Sequence, residues 1–332
     1  MKSEWNDKIF NTDSGSREQL ALEVFRFQYA HTQVYRQYVD ALKIRPGSVD
    51  TIDQIPFLPI RFFKSHIVKA GDFAPALLFE SSGTTGSVNS RHFVKEAAIY
   101  EQSFTKGFEM FYGPASGWCV IGLLPSYLER QHSSLVYMVN DLVRQSSHPD
   151  SGFYLKEHDR LAEVLLRLEN AGQRTLLIGV TFGMLDFAES VSLPPLKHVI
   201  VMETGGMKGR RKEMVRQEVH DILSNAFQLG EIHSEYGMTE LLSQAYSPGD
   251  GIFNCPPWME IRLRDESDPL SSYGPSPDGA YTGAVNIVDL ANIYSCSFIA
   301  TDDAARLHPD GSFEILGRLD NSDVRGCSLM AV

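Results

Sequence analysis

Cysteine is scarce in this chain: four occur in 332 residues, at positions 119, 255, 296 and 327, and no two stand in CxxC spacing. That spread excludes a zinc ribbon and a disulfide framework, so the thiols are expected to be reduced. No apolar run reaches the roughly 20 residues that a membrane-spanning helix requires. The opening stretch, MKSEWNDKIFNTDSGSREQ, has no hydrophobic segment after its basic residues, so neither a signal peptide nor a membrane span is expected, and the cytoplasm is the expected location. Basic residues are outnumbered, 30 Lys and Arg against 42 Asp and Glu, for a net charge of −12. A deficit of cations disfavours binding to a nucleic-acid backbone, which depends on clustered Lys and Arg. What remains is an ordinary globular composition, 43% hydrophobic and 22% charged, in a chain long enough for one large domain or two closely joined ones.

The periodicity of the apolar residues changes twice along the chain. Leu20, Val24, Phe27, Val34, Tyr38 and Leu42 recur at helical spacing, which predicts one amphipathic helix over 17–43. The following DQIPFLPIRFFKSHIV contains two helix-breaking prolines and an aromatic cluster, and reads as a packed, extended connector. Strand-like runs at 118–124 (WCVIGLL), 175–180 (TLLIGV) and 197–203 (KHVIVME) then alternate with helical patterns at 133–145, 161–172 and 210–223. Continuous apolar strands separated by helices predict an α/β core with a mostly parallel sheet covered on both faces. From about residue 250 the texture turns to short strands with Gly, Pro and Asp turns. The expected organisation is a nucleotide-binding α/β core with an N-terminal helical segment over 1–250, and a smaller β-rich subdomain over 251–332.

The segment FESSGTTGSVNSRHFV (79–94) sets six small residues between an apolar run and a β-branched one. Gly83 and Gly86 permit positive φ and close approach to a ligand, while Ser81, Ser82, Thr84 and Thr85 supply hydroxyl donors beside exposed amides. Such a nest suits an anion, phosphate above all. It is not a Walker loop, since Gly86 is followed by Ser87 and then by RHFV, which reads as a strand, where that motif needs Gly-Lys-Ser/Thr and a helix. The expected local structure is strand, loop, strand, with Arg91 or Lys95 as the nearby cation.

SSGTTG (81–86), YGMTE (236–240), TDD (301–303) and GRLD (317–320), in this order and at these separations, resemble the adenylate-forming superfamily of acyl-CoA synthetases and luciferase-like enzymes. Within it the chain is most similar to the LuxE-type acyl-protein synthetases, through PFLPIRFFKSH, ETGGMKGRRKEM and GRLDNSDVRGCS. The resemblance implies the fold of the N-terminal domain of those enzymes and ATP-dependent activation of a carboxylic acid, in all expectation a fatty acid, to an acyl-adenylate. It implies that Ser81, Ser82, Gly83, Thr84, Thr85 and Gly86 hold the β- and γ-phosphates, and that Thr239 and Glu240 hold the α-phosphate and Mg²⁺. A carboxylate is a suitable oxygen ligand for that hard cation. By the same resemblance Tyr236 packs on adenine with Gly237 beside it, Gly205 and Gly206 lie beneath the base, Asp302 accepts from the ribose hydroxyls with Asp303 as its competitor, and Arg318 contacts ribose or phosphate.

Two departures from the superfamily pattern stand out. The loop lacks the lysine that usually follows its last glycine, and with GRLD standing so near the end of the sequence the mobile domain that carries a catalytic lysine is expected to be absent. LuxE-type proteins share that shortened plan and, as a class, pass the acyl group to a cysteine near the C-terminus, which Cys327 matches in position. A thiolate there would displace AMP and keep the acyl group activated as a thioester. Acyl reductase or acyltransferase proteins are the partners the resemblance suggests. Two other readings stay open at this level: a carboxylate–CoA ligase core completed by a partner subunit, and a nucleotide-binding scaffold without turnover.

Overall fold

The computed structural model describes residues 4–81, 88–124, 132–205, 214–268 and 270–319. It opens on three helices, α1 (Glu4–Phe10), α2 (Arg17–His31) and α3 (Gln33–Ala41). The single helix expected over 17–43 is therefore broken, at Thr32, whose φ of −100° and ψ of 99° are extended. A tertiary contact explains the break: the Thr32 hydroxyl donates to the Ser295 carbonyl at 3.2 Å, and Thr32 bridges Ala70. The apolar stripe survives it, with Leu20 and Val24 buried before the break and Tyr35 and Val39 after it.

The connector is extended only at first. β1 (Leu58–Pro59) gives way to one helical turn, α4 (Phe62–Ser65), before β2 (Leu77–Glu80), β3 (Arg91–Val94) and α5 (Ala97–Tyr112). Strands and helices then alternate as expected: β4 (Cys119–Leu123), α6 (Ser134–Ser146), β5 (Gly152–Phe153), α7 (His158–Asn170), β6 (Thr175–Gly179), α8 (Thr181–Ser190), β7 (Val199–Glu203), α9 (Arg216–Phe227) and β8 (His233–Tyr236). The remainder is β-rich: β9 (Ala245–Ser247), β10 (Ile252–Phe253), β11 (Met259–Arg264), β12 (Tyr281–Asp289), β13 (Phe298–Leu307) and β14 (Phe313–Arg318).

Among the described residues these strands form two large sheets and a two-stranded ribbon. The first sheet runs β5-β4-β6-β7-β8-β9, parallel through β8, with β9 antiparallel at the edge. Every residue of β4 and β6 is buried, as covering helices on both faces demand. The second sheet runs β10-β14-β13-β12-β11 and is antiparallel, except that β1 returns from early in the chain to pair in parallel with β13 at Ile299 and Ala300. β2 and β3 make the ribbon. One apolar cluster joins the parts: it extends from Ile9 on α1 through Val120 and Ile178 of the first sheet to Ile287 and Phe313 of the second. The consequence for function is positional. The carboxyl ends of β4, β6, β7 and β8 open toward one edge, where ligands bind in sheets of this type.

Candidate functional site

At that edge β7 ends on Glu203, which is buried and fully engaged. One carboxylate oxygen accepts from the Gly205 amide at 2.7 Å and the Thr181 hydroxyl at 3.0 Å, the other from the Ser234 hydroxyl at 2.7 Å. Arg216 and His220 each approach to 3.6 Å. Burial by itself would raise this carboxyl, but His220, Arg216, Ser234 and the Gly205 amide outweigh it and hold it at about 2. Glu203 thus fixes the turn at Gly205, whose φ of +71° lies in the region glycine tolerates best.

β8 ends on Tyr236, and the turn that follows carries Thr239 and Glu240. Two side chains from distant elements hold its backbone. The ring of His92, on β3, donates from Nδ1 to the Thr239 carbonyl at 2.8 Å, and Asn292 Nδ2 donates to the Glu240 carbonyl at 2.6 Å. His92 is fully buried, and burial lowers it to about 4, so the ring is neutral. The Glu240 side chain is buried as well; burial raises its carboxyl, against a hydrogen bond from Ser90 and the positive charges of Lys64 and Arg318. Beyond the turn, Asp289 accepts from the Leu242 and Ser243 amides at 2.7 and 3.2 Å and from the Ser243 hydroxyl at 2.6 Å.

Ser90 links this turn to the glycine-rich segment. β2 and β3 pair antiparallel with Glu80 opposite Arg91, and the pairing continues as the Ser81 amide donates to the Ser90 carbonyl at 3.0 Å while the Ser90 amide donates to the Ser81 hydroxyl at 2.8 Å. The strands expected on either side of the loop are thus present, and its base touches Glu240 through Ser90. Of the loop itself, Ser82, Gly83, Thr84, Thr85 and Gly86 lie outside the described residues, as do Gly206 and Cys327. Of the two expected cations, the Lys95 ammonium sits 4.1 Å from the Tyr294 ring centre and Arg91 lies 5.8 Å from that of Phe93.

The second sheet supplies the other wall. The Tyr236 hydroxyl donates to Asp303 Oδ2 at 2.8 Å, and Arg318 Nε lies 3.6 Å from Asp303 Oδ1. Asp303 and Arg318 face each other in the register of β13 and β14. Asp302, the residue expected to join this group, does not. Successive side chains on a strand point to opposite faces, so Asp302 is turned away, half exposed, with Arg61 at 3.9 Å. Its neighbour Asp303 is the aspartate that meets Tyr236 and Arg318. The Tyr236 ring is only 9% exposed and packs edge-on against Phe253 and Phe313.

The structure therefore brings together Tyr236, Gly237, Thr239, Glu240, Arg318 and the base of the loop at Ser81, with Gly205 nearby on the same sheet edge, and leaves Asp302 out. Sequence reasoning missed His92, Asn292 and Ser90. Nothing local marks them, because His92 meets its partner 147 positions away. Among the described residues no group of three His, Cys, Asp or Glu side chains is arranged for a metal ion, and no helix is long and apolar enough to cross a membrane.

Comparison with known proteins agrees with this architecture. A curated relative, the long-chain-fatty-acid–luciferin-component ligase of Photorhabdus luminescens, is 34% identical over 94 residues, 25% of this chain and 80% of that sequence. Among solved structures, ATP-bound MatB from Rhodopseudomonas palustris aligns with a TM-score of 0.55 at 17% identity, covering 74% of this chain and 49% of MatB. The long-chain-fatty-acid–CoA ligase FadD1 from Archaeoglobus fulgidus aligns at 0.51 and 14% identity, covering 74% of this chain and 52% of FadD1. This chain spans about half the length of either structure, and the fold is that of the adenylate-forming enzymes, in the manner of their N-terminal domain. The profile of the LuxE acyl-protein synthetases matches residues 7–331, nearly the entire sequence, and the chain belongs to that family.

Proposed function

We propose that this protein uses ATP to activate a carboxylic acid as its acyl-adenylate and then takes the acyl group onto the thiol of Cys327. The observation that carries the reading is the convergence of four separated sequence motifs at one sheet edge: the base of the 81–86 loop, the 236–240 turn, Asp303 on β13 and Arg318 on β14. The curated relative is described as a long-chain-fatty-acid ligase and MatB was solved with ATP bound, which favours an acid with an apolar chain and ATP as its co-substrate.

In the first step a carboxylate oxygen attacks the α-phosphorus, the bond to the bridging oxygen breaks, and pyrophosphate leaves with the electron pair. No general base is needed, since the carboxylate is already ionised at neutral pH. The residues of this chain position and screen: the hydroxyls and amides of Ser81 to Gly86 for the β- and γ-phosphates, Thr239 for the α-phosphate, Arg318 for charge on ribose or phosphate, and Asp303, in place of Asp302, as acceptor for the ribose hydroxyls. The exposed edge of Tyr236 and the backbone at Gly205 and Gly206 bracket the base. Glu240 fits one position in the shell of a Mg²⁺ ion, because it offers a carboxylate oxygen from a buried side chain at the end of the 236–240 turn, where burial raises the carboxyl against Ser90, Lys64 and Arg318; phosphate oxygens and water would complete the shell, and the ion would screen phosphate charge.

In the second step the Cys327 thiolate attacks the acyl carbonyl carbon, the carbon–oxygen bond to AMP breaks, and the thiol proton goes to solvent. The other cysteines are poor rivals. Burial pushes the thiols of Cys119, Cys255 and Cys296 up to about 11, 12 and 12, which keeps them protonated and unreactive.

The test is an ATP–pyrophosphate exchange assay across a panel of acids, followed by labelling with radioactive acid. Exchange that depends on an acid, with protein label released by neutral hydroxylamine and lost in Cys327→Ser, is the expected result. Label that survives in Cys327→Ser refutes the acceptor, and rapid acyl-CoA formation without protein label turns the reading to a CoA ligase.

A further inference from the structure

The PFLPIRFFKSH stretch brings two cations to the edge of the site: Arg61 caps α4 and Lys64 lies within it. Contacts on two sides fix where that turn of helix sits. On one side β1 pairs in parallel with β13 at Ile299 and Ala300, and the Ile60 amide donates to the Ala300 carbonyl at 2.9 Å. The chain thus enters α4 beside the strand that carries Asp302 and Asp303. On the other side the buried Phe63 ring packs edge-on against His92 at 5.9 Å, and His92 is the donor to the Thr239 carbonyl. α4 is therefore held between β13 and the support of the 239–240 turn, with Arg61 and Lys64 both exposed.

The two cations differ in what they meet. Arg61 lies 3.9 Å from Asp302, the aspartate turned away from Tyr236. The Lys64 ammonium makes no ion pair or hydrogen bond among the described residues, and its charge acts on Glu240. Burial raises the Glu240 carboxyl; against it act, in descending order, a hydrogen bond from Ser90, its own amide, and the charges of Lys64 and Arg318. The other cations of this region are already engaged. Arg318 faces Asp303 at 3.6 Å, Arg91 stands opposite Glu80 in the ribbon, and Lys95 lies over the Tyr294 and Phe73 rings at 4.1 and 5.9 Å. A site that holds several phosphate charges beside a glutamate needs a cation that is still free to pair.

We propose that the Lys64 ammonium pairs with the polyphosphate of ATP beside Glu240 and screens the charge that pyrophosphate takes away. As the bond from the α-phosphorus to the bridging oxygen breaks, its electron pair goes to the leaving pyrophosphate. No proton moves, so the lysine acts as a fixed cation and not as an acid. Its compact charge on a flexible four-carbon stem suits that task, since it can follow the phosphate oxygens as they move. The acid's own carboxylate is the weaker claimant, because it carries one charge where the polyphosphate carries several. This rests on the acid-activating reading above and adds to it a residue that touches the reacting phosphates.

The experiment is titration calorimetry of ATP and AMP, each with Mg²⁺ and with EDTA, on the wild type, Lys64→Met, Lys64→Arg and Arg61→Met, alongside pyrophosphate exchange across the panel of acids. Both positions are exposed, so the variants should fold, and circular dichroism checks it. Lys64→Met should weaken ATP by about tenfold or more, the usual loss for a charge-assisted hydrogen bond, and leave AMP, which lacks the β- and γ-phosphates, within about twofold. The loss should persist in EDTA, Lys64→Arg should recover most of it, and Arg61→Met should leave both nucleotides unchanged. In exchange, kcat/KM for ATP should fall while KM for the acid stays the same. Equal losses for ATP and AMP would make Lys64 structural, and an equal loss in Arg61→Met would make it one surface charge among others. A loss confined to Mg²⁺ would place the effect on Glu240, and a raised KM for the acid with ATP affinity intact would assign the ammonium to the carboxylate. Each of these, or ATP affinity unchanged in Lys64→Met, overturns the assignment while leaving acid activation standing. A wild type that binds neither nucleotide and exchanges with no acid overturns both.

Discussion

Replacing Glu235 by Gln should change the pH dependence of stability in a direction that its burial sets. The carboxyl is pushed from an ordinary 4.5 up to about 8, by burial first and Glu203 second. A carboxyl whose folded value is raised holds its proton more tightly in the folded state, so the fold has full stability from this group below pH ~4.5 and loses it as pH rises to about 8. At about 1.4 kcal/mol per pH unit, the interval amounts to on the order of 5 kcal/mol, of which about 4 kcal/mol falls between pH 5 and 9. The titratable groups whose charge couples to Glu235 are Glu203 from β7, on the other face of the sheet, and Tyr100 from α5 and Tyr246 from β9; the tyrosines stay neutral over this range because burial raises both well above their ordinary values. Glutamine keeps the shape and removes the titration. Urea denaturation of wild type and Glu235→Gln at pH 5, 7 and 9 measures the difference directly: the variant should gain on the wild type by about 4 kcal/mol from the lowest pH to the highest. Parallel curves across that range would show that Glu235 is not buried as an unpaired acid, and the reasoning built on it would fall.

Three further outcomes follow from the same geometry. Asp303→Asn should weaken ATP binding by about 1–3 kcal/mol in calorimetry, the usual loss for a hydrogen bond to a charged acceptor, while Asp302→Asn leaves it within about 0.5 kcal/mol; equal losses would return Asp302 to the site. His92→Ala removes the donor to Thr239 and opens a buried cavity, so thermal or urea unfolding should show a loss of about 2–4 kcal/mol, and exchange activity should fall in protein that still folds; unchanged activity would mean that the turn holds itself. Glu240→Gln should keep ATP affinity near that of wild type but require far more Mg²⁺ for exchange, and superimposable Mg²⁺ titrations would remove Glu240 as a ligand.

Much of this protein was determined by sequence-local physics. Strands buried on both faces must be apolar throughout, so β4, β6 and β7 announce themselves, and the alternation with helices leaves a parallel sheet as the natural arrangement. The family was equally legible, because SSGTTG, YGMTE, TDD and GRLD are short motifs whose order along the chain is readable without any folding. What the sequence could not decide were choices between neighbours and meetings between strangers. Asp302 and Asp303 are chemically identical in TDD, and only the pairing of β13 with β14 turns one toward Tyr236 and Arg318 and the other toward Arg61. The helical period runs unbroken through Thr32, yet a hydrogen bond to Ser295 splits the helix there. His92 reads as one polar residue in a strand until folding carries it to the carbonyl of Thr239, and Glu235 reads as a solvated acid until β9 and Gly237 close around it. Each of these depends on which face a strand buries and on what lies across from it, and such contacts are made between residues far apart in the chain, where local periodicity carries no information.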